Sequence, residues 1–107
     1  LSQGFTVVSG HVPPGDPGSS VDWAALAASG TTLVVLMGVK YLPQISAALV
    51  GGGLDAATPA AVVSHGFAAD AVTLRGTLAT IAYAAATHGI RPPSIVVIGD
   101  VAALDLT

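Results

Sequence analysis

Apolar residues fall along this chain in short, dense runs separated by glycine-bearing breaks. Four runs stand out: Phe5-Thr6-Val7-Val8, Thr32-Leu33-Val34-Val35-Leu36-Met37, Ala60-Ala61-Val62-Val63 and Ser94-Ile95-Val96-Val97-Ile98. They are rich in β-branched residues and lack strict alternation, which predicts strands covered on both faces. A fifth segment reads differently. Val72 and Leu74 alternate with Thr73 and Arg75, the pattern of a half-exposed strand that pairs antiparallel.

Between the runs the period is helical. Ser19 or Ser20 can cap a helix with Asp22 in its first turn, Trp23, Leu26 and Ala27 on one face, and Gly30 at its end. A second helix begins near Tyr41 with Pro43 in its first turn. Leu42, Ile45 and Leu49 form its stripe, and Gly51-Gly52-Gly53 stops it. A third spans about Thr77 to His88, with Leu78, Ile81, Ala82 and Ala85 inward and Gly89 as terminator. This succession predicts an α/β fold: a mostly parallel mixed sheet of about five strands with helices on both faces, in a single domain over 1–107.

Composition narrows the class. Only 8% of the 107 residues are charged, against roughly 25% in an ordinary soluble domain. All six acids are Asp, and the chain has no Glu, Asn or Cys. The absence of Cys excludes a disulfide scaffold and any thiolate metal site. Three basic residues exclude an electrostatic nucleic-acid surface, which needs clustered Lys and Arg. A mean hydropathy of +0.78 calls for a search for spanning helices. The stretch from Trp23 to Val39 is broken by Ser29-Gly30-Thr31-Thr32, and Gly76 to Ile90 is too short for the roughly 20 residues a span needs. Leu1-Ser2-Gln3-Gly4-Phe5 carries no positive n-region, so no signal peptide is expected. The chain reads as soluble, with too little polar surface to stand alone.

Candidate chemistry is sparse. Each apolar run ends in glycine: Ser9-Gly10-His11, Met37-Gly38, His65-Gly66 and Gly99-Asp100. In open α/β sheets ligands bind outside the carboxyl ends of the strands, and glycine there lets backbone approach a flat ligand. Glycine also punctuates ordinary strand-to-loop turns, and both explanations stand. His11 and His65 sit at strand ends, but no metal-type spacing joins them; His88 falls in the last turn of a helix, where the dipole accounts for it. Asp22 marks a helix start, Asp55 and Asp70 fall in loops, and Asp100 alone follows a strand. Gly51-Gly52-Gly53 follows a helix and is not a phosphate loop, and no Ser occupies a G-x-S-x-G elbow. Trp23 and Tyr83 fit packing better than base stacking.

A family resemblance adds to this. Thr6-Val7-Val8-Ser9-Gly10-His11, Asp22-Trp23-Ala24-Ala25-Leu26-Ala27, Thr32-Leu33-Val34-Val35-Leu36-Met37-Gly38, Thr58-Pro59-Ala60-Ala61-Val62-Val63 with Gly66, Leu74-Arg75-Gly76-Thr77-Leu78 and Pro92-Pro93-Ser94-Ile95-Val96-Val97-Ile98-Gly99 recur in order. Together they resemble the C-terminal domain of the tetrapyrrole methylases, nearest to those acting on uroporphyrinogen III. The specificity lies in the ordered set, which covers nearly the whole chain.

The resemblance implies a two-domain cytoplasmic enzyme, usually a homodimer, that binds S-adenosylmethionine between its halves. It implies transfer of two methyl groups to ring carbons of uroporphyrinogen III, giving precorrin-2 for sirohaem and corrinoid synthesis. Two cofactor contacts of the family fall on Met37 and Gly66, and Ala102 aligns loosely with an adenine-lining position. The family's Gly-x-Gly-Pro-Gly-Asp-Pro strand end and its substrate-handling residues belong to an N-terminal domain that is absent here. Gly15-Asp16-Pro17 only echoes that motif, and Ser9 stands where Thr is common. No catalytic residue and no metal ligand are therefore assigned, and the chain alone is expected to be inactive. Two alternatives remain: a structural or dimerisation module without a ligand of its own, and a methylase acting on another ring carbon.

Overall fold

The computed structural model describes residues 4–10, 14, 21–64, 72–90 and 94–99. Its elements run β1 (Phe5–Ser9), α1 (Trp23–Ala27), β2 (Thr32–Leu36), α2 (Leu42–Gly51), β3 (Pro59–Ser64), β4 (Val72–Thr77), α3 (Ile81–Thr87) and β5 (Ser94–Ile98). The five strands form one sheet in the order β1-β2-β5-β3-β4. The α/β class and the mixed five-stranded sheet are as expected, and β4 pairs antiparallel with β3 as its alternation indicates.

Two finer expectations are corrected. The sheet is not mostly parallel: β1 and β2 pair in parallel, whereas β2–β5, β5–β3 and β3–β4 are antiparallel. The cause is the short link between β3 and β4. Seven residues are too few for a helical crossover, so the chain must turn back. From there the β4–α3–β5 unit runs opposite to the two before it, and β5 inserts between β2 and β3.

Nor do the described helices cover both faces. Leu33, Val35, Ala60, Val62, Val96 and Ile98 share one face by register. They join a single core with Trp23 of α1, Leu42, Ile45 and Leu49 of α2, and Ile81 and Ala85 of α3. Right-handed crossovers explain this. The third unit reverses both strand direction and direction of travel, which returns its helix to the same side. The opposite face carries Phe5, Val7 and Leu36 exposed and Val34, Ile95 and Val97 half-buried. Phe5 is 65% and Val7 60% accessible. Among the described residues that apolar face has no helix over it.

Local chemistry sets the element ends. Asp22, expected inside the first turn, is the N-cap of α1: its Oδ1 accepts from the Ala25 N–H at 3.0 Å. In α2 the predicted stripe of Leu42, Ile45 and Leu49 is buried, and Pro43 occupies the first turn, where its missing N–H is not required. Gly51 stays helical and Gly52 is the cap. The third helix starts later than predicted, because Gly76 and Thr77 pair with Ala60 and Pro59 as strand. No helix among the described residues is long and apolar enough to cross a membrane.

Candidate functional site

The edge where β1, β2 and β3 end is also where β4 and β5 begin, since Leu36 faces Ile95 and Ser64 faces both Ser94 and Val72. It gathers Ser9-Gly10, Met37-Gly38, Ser64 and Ser94. The fourth glycine end does not belong there. Because β5 runs antiparallel, Gly99 lies at the opposite edge, its N–H donating to the Pro59 carbonyl at 2.9 Å. Antiparallel insertion of β5 thus removes one of the four sequence-level contributors.

Met37 is the distinctive residue of the edge. Its φ is +59°, the left-handed region, and it is the one non-glycine residue there among those described. That conformation costs a side-chain-bearing residue on the order of 1–3 kcal/mol and clusters at ligand sites. Its N–H donates to the Ser94 carbonyl at 3.3 Å, and its side chain is 55% accessible. The thioether therefore stands on the surface just beyond β2 while the backbone is tied to β5.

Gly10 and Gly38 are buried, and both have packing reasons to be glycine. A Cβ on Gly10 would lie 2.8 Å from the Gly38 Cα and 2.8 Å from Val35 Cγ1; one on Gly38 would lie 2.6 Å from Val35 Cγ1. The ends of β1 and β2 are drawn together here, with the Gly10 N–H donating to the Leu36 carbonyl at 2.8 Å. The bare Cα of each faces the core, so packing against Val35 and Ile45 accounts for glycine at both positions.

The other candidates separate. Gly66, His11, His65, Asp70, Asp100 and Ala102 lie outside the described residues. His88 bonds through Nδ1 to the Ala84 carbonyl at 2.9 Å, a local bond within its own helix end. Trp23 is core, whereas Tyr83 is 78% accessible. Tyr83 lines an apolar groove of about 600 Å³ between α2 and α3 with Pro43, Ala47, Val50 and Ala82. That groove does not include Met37, so the strand edge and the groove are separate features. Lys40, three residues beyond Met37, sits 5.4 Å from the centre of the Tyr41 ring. No group of metal-ligating side chains occurs among the described residues. Sequence reasoning missed Ser94, whose Oγ is buried without a hydrogen-bond partner. Its only signal was its place at the start of an apolar run. Among the described residues the edge offers a polarizable thioether, backbone groups and the hydroxyls of Ser9, Ser64 and Ser94, an arrangement suited to binding.

Comparison with known proteins identifies the family. Residues 1–82 match the family described as Tetrapyrrole (Corrin/Porphyrin) Methylases. An S-adenosyl-L-methionine-dependent uroporphyrinogen III methyltransferase of Methanosarcina barkeri is 42% identical over 96 residues, 90% of this chain and 38% of that protein. A uroporphyrinogen-III C-methyltransferase of Pseudomonas aeruginosa is 38% identical over 101 residues, covering 94% and 40%. Among solved structures, a uroporphyrin-III C-methyl transferase of Thermus thermophilus complexed with S-adenosyl homocysteine superposes with a TM-score of 0.74 at 28% identity. The match covers 96% of this chain and 44% of that one. The chain thus spans well under half the length of these relatives.

Proposed function

The chain belongs to the tetrapyrrole (corrin/porphyrin) methylases, and on that premise we propose that it is the C-terminal half of an S-adenosylmethionine-dependent methyltransferase converting uroporphyrinogen III to precorrin-2. In this reading it supplies part of the cofactor pocket, with Met37 and Gly66 against the adenosine. An N-terminal half handles the tetrapyrrole carboxylates, and the enzyme works in the cytoplasm as a homodimer. The observation that carries the reading is Met37, held left-handed and exposed at the sheet edge. Support also comes from the names of the relatives and from the S-adenosyl homocysteine bound in one of them.

Bound S-adenosylmethionine supplies an electrophilic methyl group on a sulfonium. The residues of this chain do the holding. The Met37 thioether offers a soft apolar surface to a purine face. Its N–H is occupied by Ser94, so its carbonyl is the backbone group assigned to the ligand. Gly10 and Gly38 let the strand ends pack closely over Val35 and Ile45, which fixes the backbone of the edge.

Calorimetric titration of the chain with S-adenosyl homocysteine tests the pocket. Binding is expected, with loss in Gly66→Leu, and radiolabelled cofactor should give no methyl transfer from this chain alone. A wild-type chain that fails to bind overturns the pocket; turnover by the isolated chain overturns its dependence on a second half. The bare sheet face around Phe5, Val7 and Leu36 favours the second reading, a dimerisation module. A concentration-dependent dimer that ignores the nucleoside would select it.

A further inference from the structure

We infer that Gly38 is a positioning residue for Met37, and that Val35 is the fixed stop against which it acts. The inference rests on the reading that Met37 contacts the cofactor, and it adds what determines where Met37 stands.

Gly38 has no left-handed φ, so an alanine there is refused by space and not by backbone conformation. A Cβ would lie 2.6 Å from Val35 Cγ1, inside any real contact distance. Its other neighbours, Val35 Cβ at 3.4 Å and Ile45 Cδ1 at 3.5 Å, are ordinary contacts. The obstruction is therefore a single methyl group. Val35 cannot easily turn that methyl away, because it is fully buried in β2 and β-branched side chains are stiff at χ1. A side chain at 38 must instead push the Met37-Gly38 turn off the end of β2. That movement strains the Met37–Ser94 bond and relocates the thioether. Glycine at 38 lets the turn close down on Val35, and the left-handed backbone of Met37 is how the chain leaves that closed turn.

Gly10 provides an internal contrast. A Cβ there meets Val35 Cγ1 and also the Gly38 Cα, both at 2.8 Å. Trimming Val35 removes the first obstacle and leaves the second, which is backbone.

Met37 is the only methionine of the sequence, so in a chain labelled with methyl-13C methionine the signal that disappears in Met37→Leu reports its position. Gly38→Ala should displace that signal and weaken S-adenosyl homocysteine binding by about tenfold or more. Val35→Ala/Gly38→Ala should return both toward wild type. Gly10→Ala should not be rescued by Val35→Ala. Fluorescence of Trp23, the single tryptophan, checks that each variant is folded. If Gly38→Ala does not fold, the double variant must, and its failure overturns the inference. A folded Gly38→Ala with an unmoved methyl signal overturns it too, as does a double variant whose signal stays displaced. If the wild type does not bind the nucleoside, the cofactor reading fails, while the methyl signal still decides whether Gly38 and Val35 position Met37.

Discussion

At most positions alanine is more stabilising than glycine, by roughly 0.5–1 kcal/mol, because glycine has more freedom to lose on folding. Position 37 should invert that order. Met37→Ala and Met37→Gly remove the same atoms beyond Cβ, so the lost packing nearly cancels between them. What differs is the φ of +59°. The left-handed region costs an L-residue with a Cβ about 1–2 kcal/mol and costs glycine almost nothing. Setting this against glycine's larger entropy loss leaves Met37→Gly more stable than Met37→Ala by about 0.5–1 kcal/mol. Urea unfolding followed by Trp23 fluorescence measures it, since Trp23 is only 5% accessible. With slopes of about 1–3 kcal/mol/M, the two midpoints should separate by roughly 0.2–1 M. The glycine variant should also bind S-adenosyl homocysteine more weakly than wild type, because the thioether is gone. An alanine variant as stable as the glycine one, with unchanged slope, would refute the left-handed assignment and the site built on it.

Three further outcomes are expected. Asp22→Ala should lose about 1 kcal/mol in thermal unfolding, as it removes the oxygen that accepts from Ala25. Gly99→Ala should be destabilising by about 1–3 kcal/mol, since its φ is +143° and a Cβ would lie 3.2 Å from the Thr32 Cα. Nucleoside affinity should survive, because Gly99 is at the far edge. Val7→Asp, on the exposed sheet face, should change stability by no more than about 0.5 kcal/mol yet shift sedimentation velocity toward monomer. A variant that still self-associates would show that this face is not where copies meet.

The elements were legible because each has a local cause. The stripe of Leu42, Ile45 and Leu49 and the alternation of β4 are both written in neighbouring residues. Sheet order was not, because β5 is inserted between strands far from it in sequence, and one short turn reversed the direction of the last unit. The same reversal placed Gly99 at the edge opposite Met37, which glycine content alone could not reveal. Met37 was singled out by resemblance and by the strand-end glycine beside it, but its left-handed backbone has no signature in residue type; methionine gives no hint of it. Gly10 and Gly38 were noticed as strand ends, while their dependence on Val35 needs the distance between two strands. The third helix began late because Gly76 and Thr77 had a strand partner waiting at Pro59–Ala60.

Placing β5 between β2 and β3 also has a consequence for how the chain acquires its structure. Until Ser94–Ile98 has been made, the earlier strands exist as two separate fragments, the β1–β2 pair and the β3–β4 hairpin. Each has an unpaired inner edge. During synthesis both edges are open to other chains, the condition under which strand edges mispair. The hydrophobic centre closes only when Val96 and Ile98 arrive, in contacts distant along the chain, so folding should be slow and cooperative. The last described strand acts as a keystone, and a nascent chain arrested before it would hold two half-sheets joined through α2 and α3 but not through the sheet.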